Sequence, residues 1–549
     1  MSGILGTAIS GLMAFQRSLD TTSHNIANVN TEGYSRQRTE LSTMPAQFSG
    51  AGGYMGAGVQ VTDITRSYDQ FISAQLRSSA SGFGEADKLQ SMARQVDFIV
   101  ADDDSGLASS LSAFFKSVND VAGDPTSIPI RQVMLGEADS LANHFNMMAG
   151  QLDSLRNQVN VDMQSMVNEI NLLASGIADL NKRIASDIGQ SSGSSMPNDL
   201  LDGRDLMLQK LAKLTNVSAV DQQDGTVSVF IGQGQSLVLG MNVSPVSLKP
   251  SNSEPERQQV FIGDQNVSKF ITGGELAGVM RFRDEILNPA QQQLGLVAAG
   301  LSVQFNALHK QGSDLNGDGG LDLFSMGTPE ITVIGDDTFP GGGAVSAVFD
   351  PATINQLQAS DYRLDYIGGS YSLKRLSDNV NIPISGTFPE TVGGIEIDVT
   401  TAPTGDASFL IRPTYNAAKN INTEIKDPAL IAAAEQVPPG GTALPGDNRN
   451  ALKLADLESG AFMTGGRSLT QTYGQLVSQI GVAAHSANVS RSAQEILFNR
   501  ANQARENLAG VNLDEEAANL IKYQNSYQAA AQAVNVARTV FDTMLNAFR

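Results

Sequence analysis

The chain has 549 residues, of which 41% are hydrophobic and 17% charged. These are values of a globular protein with several domains, because single cores stop growing at about 250–300 residues. The formal net charge of -21 argues against nucleic acid or an anionic membrane surface as a partner. The absence of cysteine excludes disulfides, thiolate metal sites and a cysteine nucleophile. No apolar run approaches the roughly 20 residues of a membrane span, and the first residues lack the basic region of a secretory signal peptide. These signals alone favour the cytoplasm.

The first predicted element is an N-terminal helix with one apolar seam. Apolar residues recur there in alternating steps of three and four, interrupted only by Thr22, which is the heptad pattern of a helix that faces another helix. Gly3, Gly6 and Gly11 lower the intrinsic helicity by up to about 1 kcal/mol each, so we expect this helix to need a partner. The seam residues are Leu5, Ala8, Leu12, Phe15, Leu19, Ile26 and Val29.

A turn-like stretch, "HNIANVNTEGYSRQ" at 24–37, follows this helix. Asn28, Asn30 and Gly33 accept left-handed backbone at little steric cost, so the heptad pattern is expected to stop here.

The interior of the chain alternates between helical and strand-like patterns. Residues 86–188 are helical in pattern, and a Gly/Ser loop and another amphipathic helix follow. The period changes to two after residue 217, with a hairpin signal at Asp224 and Gly225, and helix returns after 272. A second block rich in Gly, Pro, Thr and Asp occupies 313–413, after which helical pattern runs to the end.

The last predicted element is a helix over 513–548, about 54 Å long. Gly510 precedes it, acidic residues in its first turn favour the helix dipole, and only Gln524 and Arg538 interrupt its seam. The simplest alternative is that both terminal helices are ordinary surface helices on one core. The seam residues are Leu513, Ala517, Leu520, Tyr527, Ala531, Val534, Phe541, Leu545 and Phe548.

These elements predict a mainly α chain with inserted β domains, whose terminal helices pair as a coiled coil. The molecule would be an elongated rod of several domains, with its N- and C-termini side by side. The predicted domains are a terminal helical domain (1–45 plus 505–549), a helical rod (46–216, 273–312 and 414–504), a small β domain (217–272) and an outer β domain (313–413).

Three fragments resemble chemical sites without completing one. "GQSSG" at 189–193 fits a nucleophile elbow, but a helical pattern precedes it where a strand is required, which favours a linker. "DLNGDGGLD" at 314–322 supplies the first half of a calcium loop, yet Ser325 stands where the bidentate glutamate belongs. We therefore expect a turn, with weak cation binding as the alternative. The four histidines are far apart in sequence, and no constellation combines a nucleophile, a base and an orienting group at recognisable spacing, so no metal site, cofactor or catalytic group is predicted.

Both terminal segments resemble signatures of the bacterial flagellar axial proteins, the family of rod, hook and hook-associated proteins. The stretches are "NIANVNTEGYSRQ" and "GVNLDEEAANLIKYQNSYQAAAQAVNVARTVFDTMLN". Within the family, "NDLLDGRDLMLQKLAKLTNV", "LNGDGGLDLF" and "SFLIRPTYNAA" are similar to the hook-associated proteins of the hook–filament junction. The resemblance follows the whole chain in order and is loose across 337–405.

The resemblance implies a structural protein and not an enzyme. It implies that the terminal helices form the inner part of a homo-oligomeric ring on the hook tip. The ring would contact the hook protein on one side and a second junction protein on the filament side. The two seams would be assembly contacts, beside a signature turn that consists of Asn28, Thr31, Gly33, Tyr34 and Arg36.

The resemblance also implies an extracellular location in the flagellum. Export would use the flagellar type III apparatus without a cleaved signal peptide, and a cytoplasmic chaperone would bind the C-terminal helix. The alternatives are a hook or rod protein, a flagellar scaffold that carries an enzymatic or binding β domain at 313–413, and a helical scaffold unrelated to flagella.

Overall fold

The computed structural model describes residues 2–48, 53–101, 106–190, 195–334, 341–436 and 444–547. Most of these residues are helical, and the longest helix has 63 residues, a length of about 95 Å. The helices are α1 (Ser2–Ala27), α2 (Gln70–Val100), α3 (Leu107–Gly123), α4 (Ile128–Gln190), α5 (Asn198–Leu214), α6 (Gly274–Phe282), α7 (Asn288–His309), α8 (Ala417–Asn420), α9 (Arg449–Ala455), α10 (Leu469–Ala509) and α11 (Leu513–Ala547).

The helical body is built around three long helices. Helix α2 begins at an N-cap, Asp69, whose carboxylate accepts the backbone N–H of Ile72. Helix α10 begins with a capping box in which Ser468 and Gln471 bond reciprocally. Helix α10 packs along α2, while α4 packs against α3 and α5. One turn of π-helix, Arg283–Leu287, joins α6 to α7.

The strands form small antiparallel sheets that interrupt the helical chain. They are β1 (Gln37–Thr43), β2 (Gln47–Phe48), β3 (Tyr54–Met55), β4 (Val59–Arg66), β5 (Val217–Asp221), β6 (Val227–Ile231), β7 (Gln235–Leu239), β8 (Asn242–Val243), β9 (Val246–Pro250), β10 (Gln258–Ile262), β11 (Gln265–Asn266), β12 (Gly312–Ser313), β13 (Phe324–Ser325), β14 (Glu330–Ile334), β15 (Ala344–Phe349), β16 (Tyr362–Ile367), β17 (Ser370–Arg375), β18 (Asn381–Ile382), β19 (Glu390–Val392), β20 (Ile395–Thr401), β21 (Ala407–Arg412), β22 (Asn422–Thr423) and β23 (Ala434–Glu435).

Two groups of sheets lie in the regions where the sequence predicts β structure. Strands β5 to β8 form a four-stranded meander, and β9 to β11 a three-stranded sheet. The β5–β6 turn contains Gly225 at a φ of 82°, as the hairpin signal predicts. Further along, the order β14-β21-β16-β17-β18 makes a five-stranded sheet beside the three-stranded sheet β15-β20-β19. The fold prediction of a mainly α chain with inserted β domains is confirmed, and α1 packs along α11.

Two local predictions were wrong. The segment after the signature turn is not helical, because β1 pairs with β4 in an antiparallel hairpin that reaches back along α1. Val29 is not part of the first helix, since α1 ends at Ala27 and turns follow. In the part of the chain that the structure describes, no helix combines the length and the apolar character of a membrane span.

Candidate functional site

Helices α1 and α11, which we call the terminal pair, bring the two ends of the chain together. The face that α1 buries consists of small and polar side chains, and not of the large residues of the predicted seam. Small side chains let helices approach closely, so this face suits packing within one copy. Its buried residues are Ala8, Gly11, Ala14, Ser18, Thr21, Thr22 and Asn25.

The predicted seam residues lie beside this buried face. Ala8 is buried and Leu5 is exposed, while Val29 lies half-buried beyond the helix end. Half-buried seam residues are Leu12, Phe15, Leu19 and Ile26 in α1, and Leu520, Tyr527, Ala531 and Val534 in α11. Exposed seam residues of α11 are Leu513, Ala517 and Phe541. Leu545 lies near the end of α11, and Phe548 lies outside the described residues.

Large apolar side chains remain exposed along both helices of the terminal pair. In a single copy nothing covers them among the described residues, although both helices are fully formed. Besides the exposed seam residues they are Ile4, Ile9 and Met13 in α1, and Ile521, Val536, Val540 and Met544 in α11.

The signature turn connects the terminal pair to the helical body, in a set of contacts that we call the joint. Asn28 closes the end of α1 by donating from Nδ2 to the carbonyl of His24 (3.0 Å), and it accepts a hydrogen bond from Thr31 (3.1 Å). Asn25, one turn earlier, donates to Gln37 O (2.9 Å) and to Glu516 Oε2 (3.1 Å). The last turn of α1 is thereby fixed to both β1 and α11.

An ion pair between Arg36 and α11 forms the electrostatic centre of the joint. Arg36 donates from Nε to Glu516 and from a terminal nitrogen to Glu515, each at 2.8 Å. The Glu516 side chain is almost completely buried, whereas Glu515 is exposed. Partial burial lowers the pKa of Arg36, but the two carboxylates outweigh it and hold that pKa above its usual value. The backbone N–H of Arg36 also donates to the carbonyl of Ala509 (2.8 Å).

The turn is held on its other side by helices of the body. The backbone N–H of Ser35 donates to Asp202 in α5 (2.8 Å), and Arg66 donates to the other oxygen of Asp202 (2.7 Å). Burial raises the pKa of Asp202, and Arg66 partly offsets the rise. Arg505 of α10 donates to the carbonyl of Gly33 (2.9 Å).

Two signature residues are required by their surroundings. Gly33 has a φ of 85°, and an added Cβ would lie 3.0 Å from the Cβ of Leu206. The Tyr34 hydroxyl donates to Asn25 (2.7 Å) and contacts Nδ1 of His24 (3.1 Å). Burial and the neighbouring carboxylates raise the pKa of Tyr34, so the hydroxyl keeps its proton as a donor.

Five residues that form the joint were not predicted from the sequence to make these contacts. They are Asn25, Arg66, Asp202, Arg505 and Glu516. The Asn25–Glu516 contact spans 491 residues and the Arg36–Glu516 pair spans 480. No local pattern identifies such pairs. The acidic first turn of α11 was noticed only for its effect on the helix dipole.

The loop at 314–322 satisfies its own carboxylate. Asp314 is buried and accepts the backbone N–H groups of Asn316 (2.8 Å) and Asp318 (2.9 Å). Nearby, His309 donates from Nδ1 to Leu321 O (2.6 Å), and its Nε2 accepts the backbone N–H of Ala432 (2.8 Å). Of the described residues, no group of three or more histidine and acidic side chains is placed to hold a metal ion. The "GQSSG" fragment lies largely outside the described residues.

Comparisons with known proteins agree with this architecture. The model described as "Flagellar hook-associated protein FlgK helical domain" matches 93–324, and a hook-associated protein 1 D2-like domain matches 342–413. Models of flagellar basal body rod proteins match only the two ends, 5–34 and 503–547. Flagellar hook-associated protein 1 of Salmonella typhimurium is 33% identical over 100% of both chains, and that of Escherichia coli is 32% identical over the same share.

The chain belongs to the flagellar hook-associated protein 1 family. It is therefore a structural protein of the bacterial flagellum. The solved structure of the flagellar hook junction protein FlgK from Burkholderia pseudomallei has the same fold, with a TM-score of 0.71 and 24% identity. That likeness covers 79% of this chain and 99% of the other. In this family context, the rod-type signatures at the two ends coincide with the terminal pair and the joint.

Proposed function

We propose that the chain forms a ring with copies of itself at the junction between hook and filament. The exposed apolar side chains of the terminal pair would be the contact surface. The observation that carries the proposal is that both helices leave large apolar residues uncovered in a single copy. Burying this surface between copies yields roughly 25 cal/mol per Å². The role is structural and not enzymatic, with the hook protein on one side of the ring and a second junction protein on the other.

We propose further that the chain is exported by the flagellar type III apparatus without a cleaved signal peptide. A cytoplasmic chaperone would cover the apolar side chains of α11 before export, since a contiguous exposed apolar surface is an aggregation risk. Support comes from the exposed positions Val536, Val540 and Met544, which lie in the same helix as the predicted seam.

The assembly proposal is tested with Phe541→Asp, because Phe541 is 53% exposed in a single copy. Leu520→Asp is a less direct test, since Leu520 is half-buried against the rest of the molecule. We expect purified Phe541→Asp to unfold at the same temperature as the parent chain, while immunogold labelling of cells finds no protein at the hook tip. Gln532→Asp, at an exposed polar position of α11, is the control for added charge. Normal junctions with Phe541→Asp would refute the proposal.

A further inference from the structure

Arg77 of α2 is a buried cation without a partner in the chain. It is only 8% exposed, and its Nε is completely buried with no hydrogen-bond acceptor. Among the described residues, no carboxylate forms an ion pair with Arg77 and no carbonyl accepts a hydrogen bond from it. This is unexpected in a chain with 57 acidic and 36 basic residues. A buried charge that is neither paired nor hydrogen-bonded is strongly unfavourable.

The other buried arginines show how this chain satisfies such a group. Arg131 donates to the carbonyls of Pro125 and Ile431, at 2.6 Å each. Because Arg77 has no equivalent contact within the described residues, its partner is expected to come from outside the chain. Hydrogen-bond or ion-pair partners are also present for Arg156, Arg204, Arg283 and Arg412.

Arg77 lines a cavity of about 30 Å³ between α2, α5 and the end of α10. A second guanidinium, that of Arg505, lines the same cavity. Ser73 and Gln209 line it as well, and their hydroxyl and amide groups can donate to an anion. A water molecule needs about 10–15 Å³, so the cavity has room for a monoatomic anion, while a phosphate with its four oxygens is too large.

Two carboxylates that also line the cavity already have partners. Asp205 accepts a hydrogen bond from Arg66 at 2.6 Å. Asp69, the N-cap of α2, accepts the backbone N–H of Ile72 at 3.0 Å. The N-terminus of α2 therefore lies at the cavity, and its partial positive charge favours a bound anion.

We propose that this cavity binds a chloride ion, held by Arg77 and the neighbouring donors. The ion supplies the counter-charge that the buried guanidinium lacks. Gly33 and Ser35 of the signature turn line the cavity together with Leu508 of α10. A bound chloride therefore adds a contact between the turn and the helical body, next to the joint. The site lies within one copy and is independent of the proposed ring.

Comparison of chloride with gluconate at equal ionic strength tests the proposal, because gluconate is too large for the cavity. The ion pairs of the joint are screened equally in both salts. Chloride at about ten times its dissociation constant should make local opening about tenfold rarer. Hydrogen exchange followed by mass spectrometry should therefore be slower in chloride at 70–77 and 505–509. Equal exchange in both salts throughout a chloride titration would overturn the proposal.

Two arginine variants separate binding at the cavity from a general effect of the salt. Arg77→Met removes the charge with little change in side-chain volume, so the difference between chloride and gluconate should disappear. Arg94→Met removes a charge from an exposed position of the same helix and should keep the difference. The same chloride response in Arg77→Met and in the parent chain would refute the proposal.

Bromide locates the anion directly and requires no variant. In crystals of the parent chain grown in sodium bromide, anomalous diffraction should show a peak beside the Arg77 guanidinium. The absence of a peak in this cavity would overturn the proposal, and this measurement remains decisive if Arg77→Met does not fold.

Discussion

Replacing Arg36 by methionine tests how the joint holds the terminal pair. In the parent chain, the Arg36 guanidinium is bound by Glu516 and Glu515 at 2.8 Å each. Glu516 is only 1% exposed. In Arg36→Met, Glu516 keeps the amide of Asn25 at 3.1 Å but loses its charged partner. A buried carboxylate without a counter-charge is unfavourable, so α11 should detach more often from the turn.

The magnitude follows from the burial of the two partners. Removing one member of a fully buried ion pair costs about 3–5 kcal/mol. The Arg36 side chain is 26% exposed, so solvent screens part of the interaction, and about 2–3 kcal/mol is expected. Since 1.36 kcal/mol corresponds to a factor of ten, local opening should become about 30- to 150-fold more frequent.

Hydrogen exchange followed by mass spectrometry measures this opening by region. Backbone amides at 517–530 in α11 should exchange faster in Arg36→Met by about this factor. Amides in the interior of α4 should be unchanged, because α4 does not contact Arg36 and the change is local.

Two variants serve as controls. Arg38→Met removes an arginine that is two positions away and pairs with Glu40 on an exposed surface, so it should cost less than about 0.5 kcal/mol. The double variant Arg36→Met/Glu516→Gln should recover part of the lost protection, since it removes the unpaired buried carboxylate. Equal exchange in Arg36→Met and Arg38→Met, or no recovery in the double variant, would refute this account of the joint.

Gly33→Ala should lower the free energy of unfolding in urea by about 1–2 kcal/mol, because it forces an L side chain to positive φ against Leu206. The control Gly6→Ala, in an open part of α1, should raise the free energy of unfolding by up to about 1 kcal/mol. Burial lowers the pKa of His309 to about 4 from 6.5, so the unfolded chain binds more protons in this interval. The free energy of unfolding should therefore fall by up to about 3 kcal/mol as the pH drops from 6.5 to 4, and His309→Gln should flatten that part of the pH profile. Calorimetric titration with calcium should give no heat, because backbone N–H groups already occupy the Asp314 carboxylate; a saturable signal would contradict this.

The sequence predicts elements with strong periodicity well. Both terminal helices, the long α4 and the β5–β6 hairpin follow from apolar spacing and turn residues that act locally. The β1–β4 hairpin was missed although "VQVTDITR" alternates polar and apolar residues, because its sides are only half-buried and β1, with the sequence QRTELST, carries one large apolar residue, Leu41.

The face of α1 that packs within one copy could not be predicted from the apolar seam. The seam contains the largest apolar residues, yet the single chain buries Ala14, Ser18 and Asn25 instead. Small residues permit close packing on α11 and the hairpin, and Asn25 is fixed by partners distant in sequence. Which face α1 buries depends on tertiary contacts with residues that are distant in sequence. Heptad spacing carries no information about such contacts.

The separation of the Asn25 and Glu516 partners has a consequence for when the molecule becomes complete. A chain that stops before residue 510 would lack Glu516, the carboxylate that Arg36 and Asn25 bind, so the end of α1 would not be fixed by these contacts. Contacts between distant residues form late in folding. The first turn of α11 therefore completes the joint, since Arg36 and Asn25 gain their buried carboxylate only once the chain extends past Glu516.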